Sequence, residues 1–172
     1  MMTTDRRRLL ELLGAGGIAT LAGCLGNGAD TAADWRTASL EDTTTGETFS
    51  IAEFTVPTLV HTFASNCLTC ASQQAEFRRL WPERDDLEIV ELTIDPNDTA
   101  EDVARHAEDA GLAWRVGVAT EAVTASLVEE FGQAVTVSAQ SPIIVVCPDG
   151  PVTTVRKVAP PAVLENAIAD TC

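Results

Sequence analysis

The chain has 172 residues, with 26 acidic against 11 basic side chains and a formal net charge of −15. So large an excess of carboxylates repels a polyanion and rules against nucleic-acid binding. The length leaves room for one compact core and too little for two, and no internal repeat divides it.

The first 23 residues read as an address. Asp5-Arg6-Arg7-Arg8-Leu9-Leu10 resembles a twin-arginine export signal. The weakly apolar run from Leu12 to Gly23 is too short to span a bilayer, which takes about 20 residues. Leu21-Ala22-Gly23-Cys24 resembles a lipobox, the site at which bacterial and archaeal lipoproteins are cut and the new N-terminal cysteine lipidated. Cys24 is therefore the candidate lipid carrier, and the chain is expected on the extracytoplasmic face of the cell membrane; a plain signal peptide or a retained anchor are the alternatives. Cleavage there removes Asp5, Glu11 and three arginines, leaving 24 acidic and 8 basic residues, net −16. Lys157 is the only lysine. Such a lysine-poor, carboxylate-rich balance is similar to that of proteins from salt-loving archaea, whose surface charges repel at low salt and are screened at high salt. An ordinary acidic protein is the other reading of the same composition.

Leu25 to Asp34 offers almost nothing to bury and reads as a flexible tether. Folding is expected to begin near Trp35, and the expected organisation is a signal over 1–23, a lipid-anchored linker over 24–48 and a domain of the recognisable pattern over 49–172. Phe49 to Phe54 is a short candidate strand and Thr58 to Ala64 a stronger one. Cys70 to Trp81 follows as a helix. Leu87 to Ile94 alternates apolar and polar residues, as a half-buried strand does. Thr99 to Ala110 is a second helix, with Thr99 as N-cap, Glu101 and Asp102 in an acidic first turn and Gly111 at the end. Trp114 to Val118 is a brief strand, and Glu121 to Phe131 a third helix before Gly132. Pro142 to Cys147 is a buried strand, Pro148-Asp149-Gly150 a hairpin turn, Val152 to Val158 its partner and Pro161 to Asp170 a closing helix. The alternation predicts an α/β sandwich.

The feature with chemical content is Cys67-Leu68-Thr69-Cys70, which lies between a β-prone run and a helix start. There the first sulfur meets unpaired amides and the positive end of the helix dipole, which favours its thiolate, and the second lies one turn on, within reach of a disulfide. A structural disulfide and half of a zinc site are the alternatives to a redox pair. No second Cys-x-x-Cys or closely spaced Cys/His pair completes a zinc set.

The strand–Cys-x-x-Cys–helix unit, the Ser141-Pro142 pair entering a late strand and the final ββα unit together resemble the thioredoxin superfamily, over about Phe49 to Cys172. The resemblance implies a three-layer α/β/α sandwich around a central mixed sheet. The insert before the proline and the tether resemble the membrane-anchored TlpA/ResA-type thiol-disulfide oxidoreductases. Cys67 would then attack a substrate disulfide and Cys70 resolve the mixed disulfide. Pro142, cis by the same resemblance, would present backbone groups to an extended substrate. The implied partners are protein thiols and disulfides and, through the lipid, the membrane, with no cofactor and a monomeric chain.

His61 lies six residues before Cys67, where thioredoxins keep a buried carboxylate that accepts the proton of the second cysteine. A neutral imidazole could take that part; the plainer reading is a hydrogen-bonded core or edge histidine. Glu53 and Asp95 are further candidates, and His106, within an acidic helix, is expected in solvent. In the topology the resemblance implies, Cys147 and Cys172 both end at the far side of the sheet and are expected to form a structural disulfide, with two separate thiols as the alternative. Two other functions compete. Ile94-Asp95-Pro96-Asn97-Asp98-Thr99 resembles a segment of the Sco/SenC copper-delivery proteins, yet those hold copper with two cysteines separated by three residues, where the gap here is two, and with a histidine shortly before a late strand, where Val135 to Ser141 contains none. A peroxiredoxin expects a proline and a hydroxyl residue upstream of its cysteine, where Val60 and Ala64 stand.

Overall fold

The computed structural model describes residues 34–172. The elements in chain order are β1 (Leu40–Glu41), β2 (Thr48–Phe49), β3 (Thr58–Phe63), α1 (Leu68–Leu80), β4 (Glu88–Thr93), α2 (Ala100–Ala110), β5 (Arg115–Val118), α3 (Glu121–Phe131), β6 (Ile143–Val146), β7 (Val152–Val155) and α4 (Pro161–Thr171). Five strands form one sheet in the order β5-β4-β3-β6-β7, with β1 and β2 as a separate hairpin. β3 runs parallel to β4 and antiparallel to β6, so the sheet is mixed.

β3 lies at the centre because all six of its residues can be buried, and they are. Right-handed crossovers from β3 to β4 and from β4 to β5 carry α1 and α2 to the same face, and α4 joins them there. Leu59, Phe63, Phe77, Ile89, Trp114, Ile143 and Leu164 fill that layer. On the opposite face Val60, Val90, Leu92 and Ile144 pack against Leu127 of α3. The helix-end chemistry is local: Thr99 accepts the Asp102 amide at 3.2 Å and Gly111 closes α2 in the left-handed conformation at φ 62°.

Three expectations are corrected. The linker does not run to residue 48, because Asp34 to Thr48 is folded against the α3 face. Trp35 is 1% exposed, its indole N–H donates to Glu130 at 2.8 Å, and Arg36 grips the same carboxylate through two nitrogens. Leu40 pairs with Phe49, and Asp42 holds the Thr43-Thr44-Thr45-Gly46 turn by accepting from Thr44 N and Oγ1. Small polar residues that resemble a tether are here a hydrogen-bonded turn. The candidate strand Phe49 to Phe54 is mostly a tight 3₁₀ turn over Ile51–Glu53, with the Glu53 carboxylate accepting from the Ser50 amide at 2.8 Å. β4 is not half-buried: Ile89 to Thr93 are all buried, Glu91 included, because the strand has neighbours on both sides and helices on both faces. Residues 1–33, with Cys24 and the signal, lie outside the described residues.

Candidate redox site

The sulfurs lie where β3 gives way to α1. Cys67 is the N-cap of α1, with extended backbone, and its sulfur accepts the Cys70 amide at 3.2 Å. No carboxylate occupies the first turn of α1, so no side chain of that turn competes with Cys67 for the dipole. The loop before it is pinned by Asp98, whose Oδ2 accepts from Ser65 N at 3.1 Å, Ser65 Oγ at 3.0 Å and Thr93 Oγ1 at 2.6 Å. The end of β4 thereby fixes the approach to the cysteine.

Cys67 and Cys70 are joined in a disulfide with their Cα atoms 5.2 Å apart. Cys67 is half-buried and Cys70 is 1% exposed. Only the first sulfur is open to a visitor, and Leu68 beside it is 87% exposed. Cys70 looks inward, where the Lys157 Nζ donates to it at 3.4 Å. The same amine donates to the Ser138 carbonyl at 2.6 Å and to Ser141 Oγ at 3.1 Å. Burial pushes the Lys157 amine down to about 8, against the pull of the Glu91 carboxylate. Gln73 of α1 bonds both the N–H and the C=O of Ala159, which ties the segment carrying Lys157 to the cysteine helix.

His61 is fully buried and bonds not to a sulfur but to Glu91, Nδ1 to Oε1 at 2.5 Å. Its Nε2 has no partner among the described residues. A protonated imidazole would need an acceptor there, so the ring is neutral, with Nδ1–H donating and Nε2 bare. Burial likewise pushes its pKa below 6.5, and Lys157 adds to the effect. Glu91 Oε2 accepts from Gln74 Nε2 and from Trp114 Nε1, each at 3.0 Å. The plainer reading, a hydrogen-bonded core histidine, describes the Nδ1 side of the ring. His106 is half-buried rather than fully solvated, stacked on Phe63 at 5.4 Å and meeting the Gln74 amide.

Glu53 and Asp95 are spent on local turns, Asp95 accepting from Asn97 N at 2.9 Å. Pro142 is half-buried and precedes Ile143, which pairs with His61, so it sits at the sulfur end of the sheet. Its peptide bond with Ser141 is trans, contrary to expectation. A cis X–Pro bond must be enforced against a preference of about 0.5–1 kcal/mol. The Val137–Ser141 turn, closed by Ser141 N to Val137 O at 2.9 Å and anchored by Ser141 Oγ to Thr62 O at 2.8 Å, accommodates the ordinary isomer. Cys147 and Cys172 form a second disulfide at the far side, Cα atoms 5.4 Å apart. Sequence reasoning did not single out Glu91 or Lys157 as site residues. The signal for Glu91 was a carboxylate between Val90 and Leu92 in a strand with two neighbours; for Lys157 it was the lone lysine of the chain.

No family model and no curated relative matches the sequence. Solved structures do match the fold. The dsbF protein of MTB superposes with a TM-score of 0.62 at 16% identity, over 80% of this chain and 96% of that one. The thioredoxin-related protein from Neisseria meningitidis serogroup B gives 0.61 at 15%, over 76% and 96%. A mutant peroxiredoxin Q from Xanthomonas campestris gives 0.56 at 14%, over 80% and 91%. One architecture therefore serves more than one sulfur chemistry, and the residues at the site must decide among them. By its sheet order, its helices on both faces and these neighbours, the chain has a thioredoxin-like fold.

Proposed function

We propose that the chain is a thiol-disulfide oxidoreductase that exchanges the Cys67–Cys70 pair with thiols and disulfides of protein substrates. The observation that carries this is the asymmetry of the pair: one sulfur capping a helix and open to a visitor, the other buried against an amine. In the reducing direction Cys67 thiolate attacks a substrate disulfide. Cys70 then displaces the substrate thiolate and closes the bridge. A structural bridge needs no such division of exposure.

We further infer an extracytoplasmic, lipid-tethered setting of the TlpA/ResA kind. It is supported by the Arg6-Arg7 and Leu21–Cys24 motifs and by a second disulfide, a bond that persists in oxidising compartments. The copper-delivery alternative needs a ligand beside the two sulfurs, and among the described residues no group of three His, Cys, Asp or Glu side chains is gathered. The test is reduction of a model protein disulfide by the full chain in high salt, with Cys70→Ser used to trap mixed disulfides. Turnover that disappears in Cys67→Ser, and covalent adducts in Cys70→Ser, are the expected results. Stoichiometric Cu(I) binding without any exchange would overturn the proposal.

A further inference from the structure

Lys157 emerges from the end of β7 and reaches across to α1. Its three contacts match the three N–H bonds of an ammonium: Cys70 Sγ, the Ser138 carbonyl and Ser141 Oγ. Two of these partners are fixed acceptors. The Ser138 oxygen is a carbonyl, and the Ser141 hydroxyl gives its own hydrogen to Thr62 O, so it can only accept from Lys157. The third partner can change its state. When Cys70 is a thiol, a neutral amine keeps both N–H bonds to the oxygens and offers its lone pair to the S–H, for which the Ser138 carbonyl, also 3.4 Å from the sulfur, is the other acceptor. When Cys70 is a thiolate, the ammonium donates to it. Either state is fully hydrogen-bonded in the same geometry, with no movement of the backbone.

We propose that the Lys157 amine is the acid–base group that takes the proton from, and returns it to, the Cys70 sulfur. The inference rests on the exchange reading above and assigns its proton. In resolution, the Cys70 S–H gives its proton to Nζ and the sulfur attacks Cys67 Sγ. The Cys67–Cys70 bond forms, the Cys67–substrate bond breaks, and the substrate thiolate leaves with the electron pair. In the reverse direction a substrate thiolate attacks Cys67, and the departing Cys70 sulfur is protonated by the Lys157 ammonium. The charged and titratable groups facing this amine are Cys70 from α1, Glu91 from β4 and neutral His61 from β3. Burial favours the amine and Glu91 the ammonium, which leaves the Lys157 amine at about 8.

The experiment uses the full chain with Cys24→Ser, reduced at the Cys67–Cys70 pair and mixed with an aromatic disulfide in high salt. Attack by Cys67 releases one coloured thiolate and resolution by Cys70 releases the second. The second phase is expected to slow on the order of 10²-fold in Lys157→Met and to lose its inflection near pH 8. Lys157→Arg keeps the charge and reach but cannot accept a proton, so it is expected to lose the same inflection; it decides alone if the methionine variant does not fold. An unchanged second phase in Lys157→Met, or a wild-type profile in Lys157→Arg, overturns the assignment. Absence of any second phase in the unsubstituted chain would instead overturn the exchange reading itself.

Discussion

Replacing Glu91 by leucine tests whether the buried carboxylate beneath α1 holds its surroundings together. The side chain is fully buried and receives three donors: His61 Nδ1 at 2.5 Å, Gln74 Nε2 at 3.0 Å and Trp114 Nε1 at 3.0 Å. Leucine leaves all three without an acceptor. Each of the three buried orphaned donors costs about 1–3 kcal/mol, and the apolar side chain offsets about 2 kcal/mol of the total, for a net loss of about 1–7 kcal/mol. In a domain with about 5–15 kcal/mol in all, that is a large fraction. Glu91→Gln keeps one oxygen and is expected to lose about 1–2 kcal/mol. The informative variant is the double change His61→Leu with Glu91→Leu, which removes one of the stranded donors and should recover about 1–2 kcal/mol relative to Glu91→Leu alone. Urea unfolding followed by tryptophan fluorescence, in one high-salt buffer, measures all three. A Glu91→Leu protein within about 0.5 kcal/mol of the parent would refute the reasoning, since the donors would then have found water or one another.

Three further outcomes follow from the same structure. Because the folded-state pKa of His61 lies below its ordinary 6.5, the unfolded chain binds that proton more readily; its contribution to stability is complete above pH 6.5 and is lost as pH falls below it, a slope that His61→Leu removes from the urea midpoint. Cys172→Ser opens a loop of sequence separation 25 and should cost about 3–4 kcal/mol under non-reducing conditions; an unchanged midpoint would show that the bridge closes nothing the fold does not already close. Gly117→Ala would place a Cβ 2.8 Å from the Glu41 carbonyl oxygen, forcing the β1–β2 hairpin off β5 at a cost of about 1–3 kcal/mol, read as a lowered thermal midpoint and checked against Gly111→Ala, where the space is open but φ is positive.

Much of the fold was legible because its signals are local. Thr99 and Gly111 mark both ends of α2, Glu121 to Phe131 is α3 to the residue, and the Cys67 spacing announces a helix start. What escaped depends on contacts distant in sequence. The polar positions of β4 read as a solvent face, but Glu91 belongs to a strand buried on both sides, and its donors come from β3, α1 and the approach to β5. Lys157 stands 87 residues from Cys70, and the packing of α4 beside α1 with the Gln73–Ala159 hydrogen bonds makes them neighbours. The linker bound at residue 48 passed over Trp35, which finds a slot against Phe131 and starts the folded domain where the small polar tether ends.

The bridge between Cys147 and Cys172 reaches further than its own end of the sheet. β7 is an edge strand with no fully buried residue, the element most prone to fraying. Closing the chain covalently from the end of β6 to the end of α4 limits how far that edge can peel away. Lys157 rides on the enclosed stretch, so a staple at one pole of the molecule keeps an amine in register with a sulfur at the other.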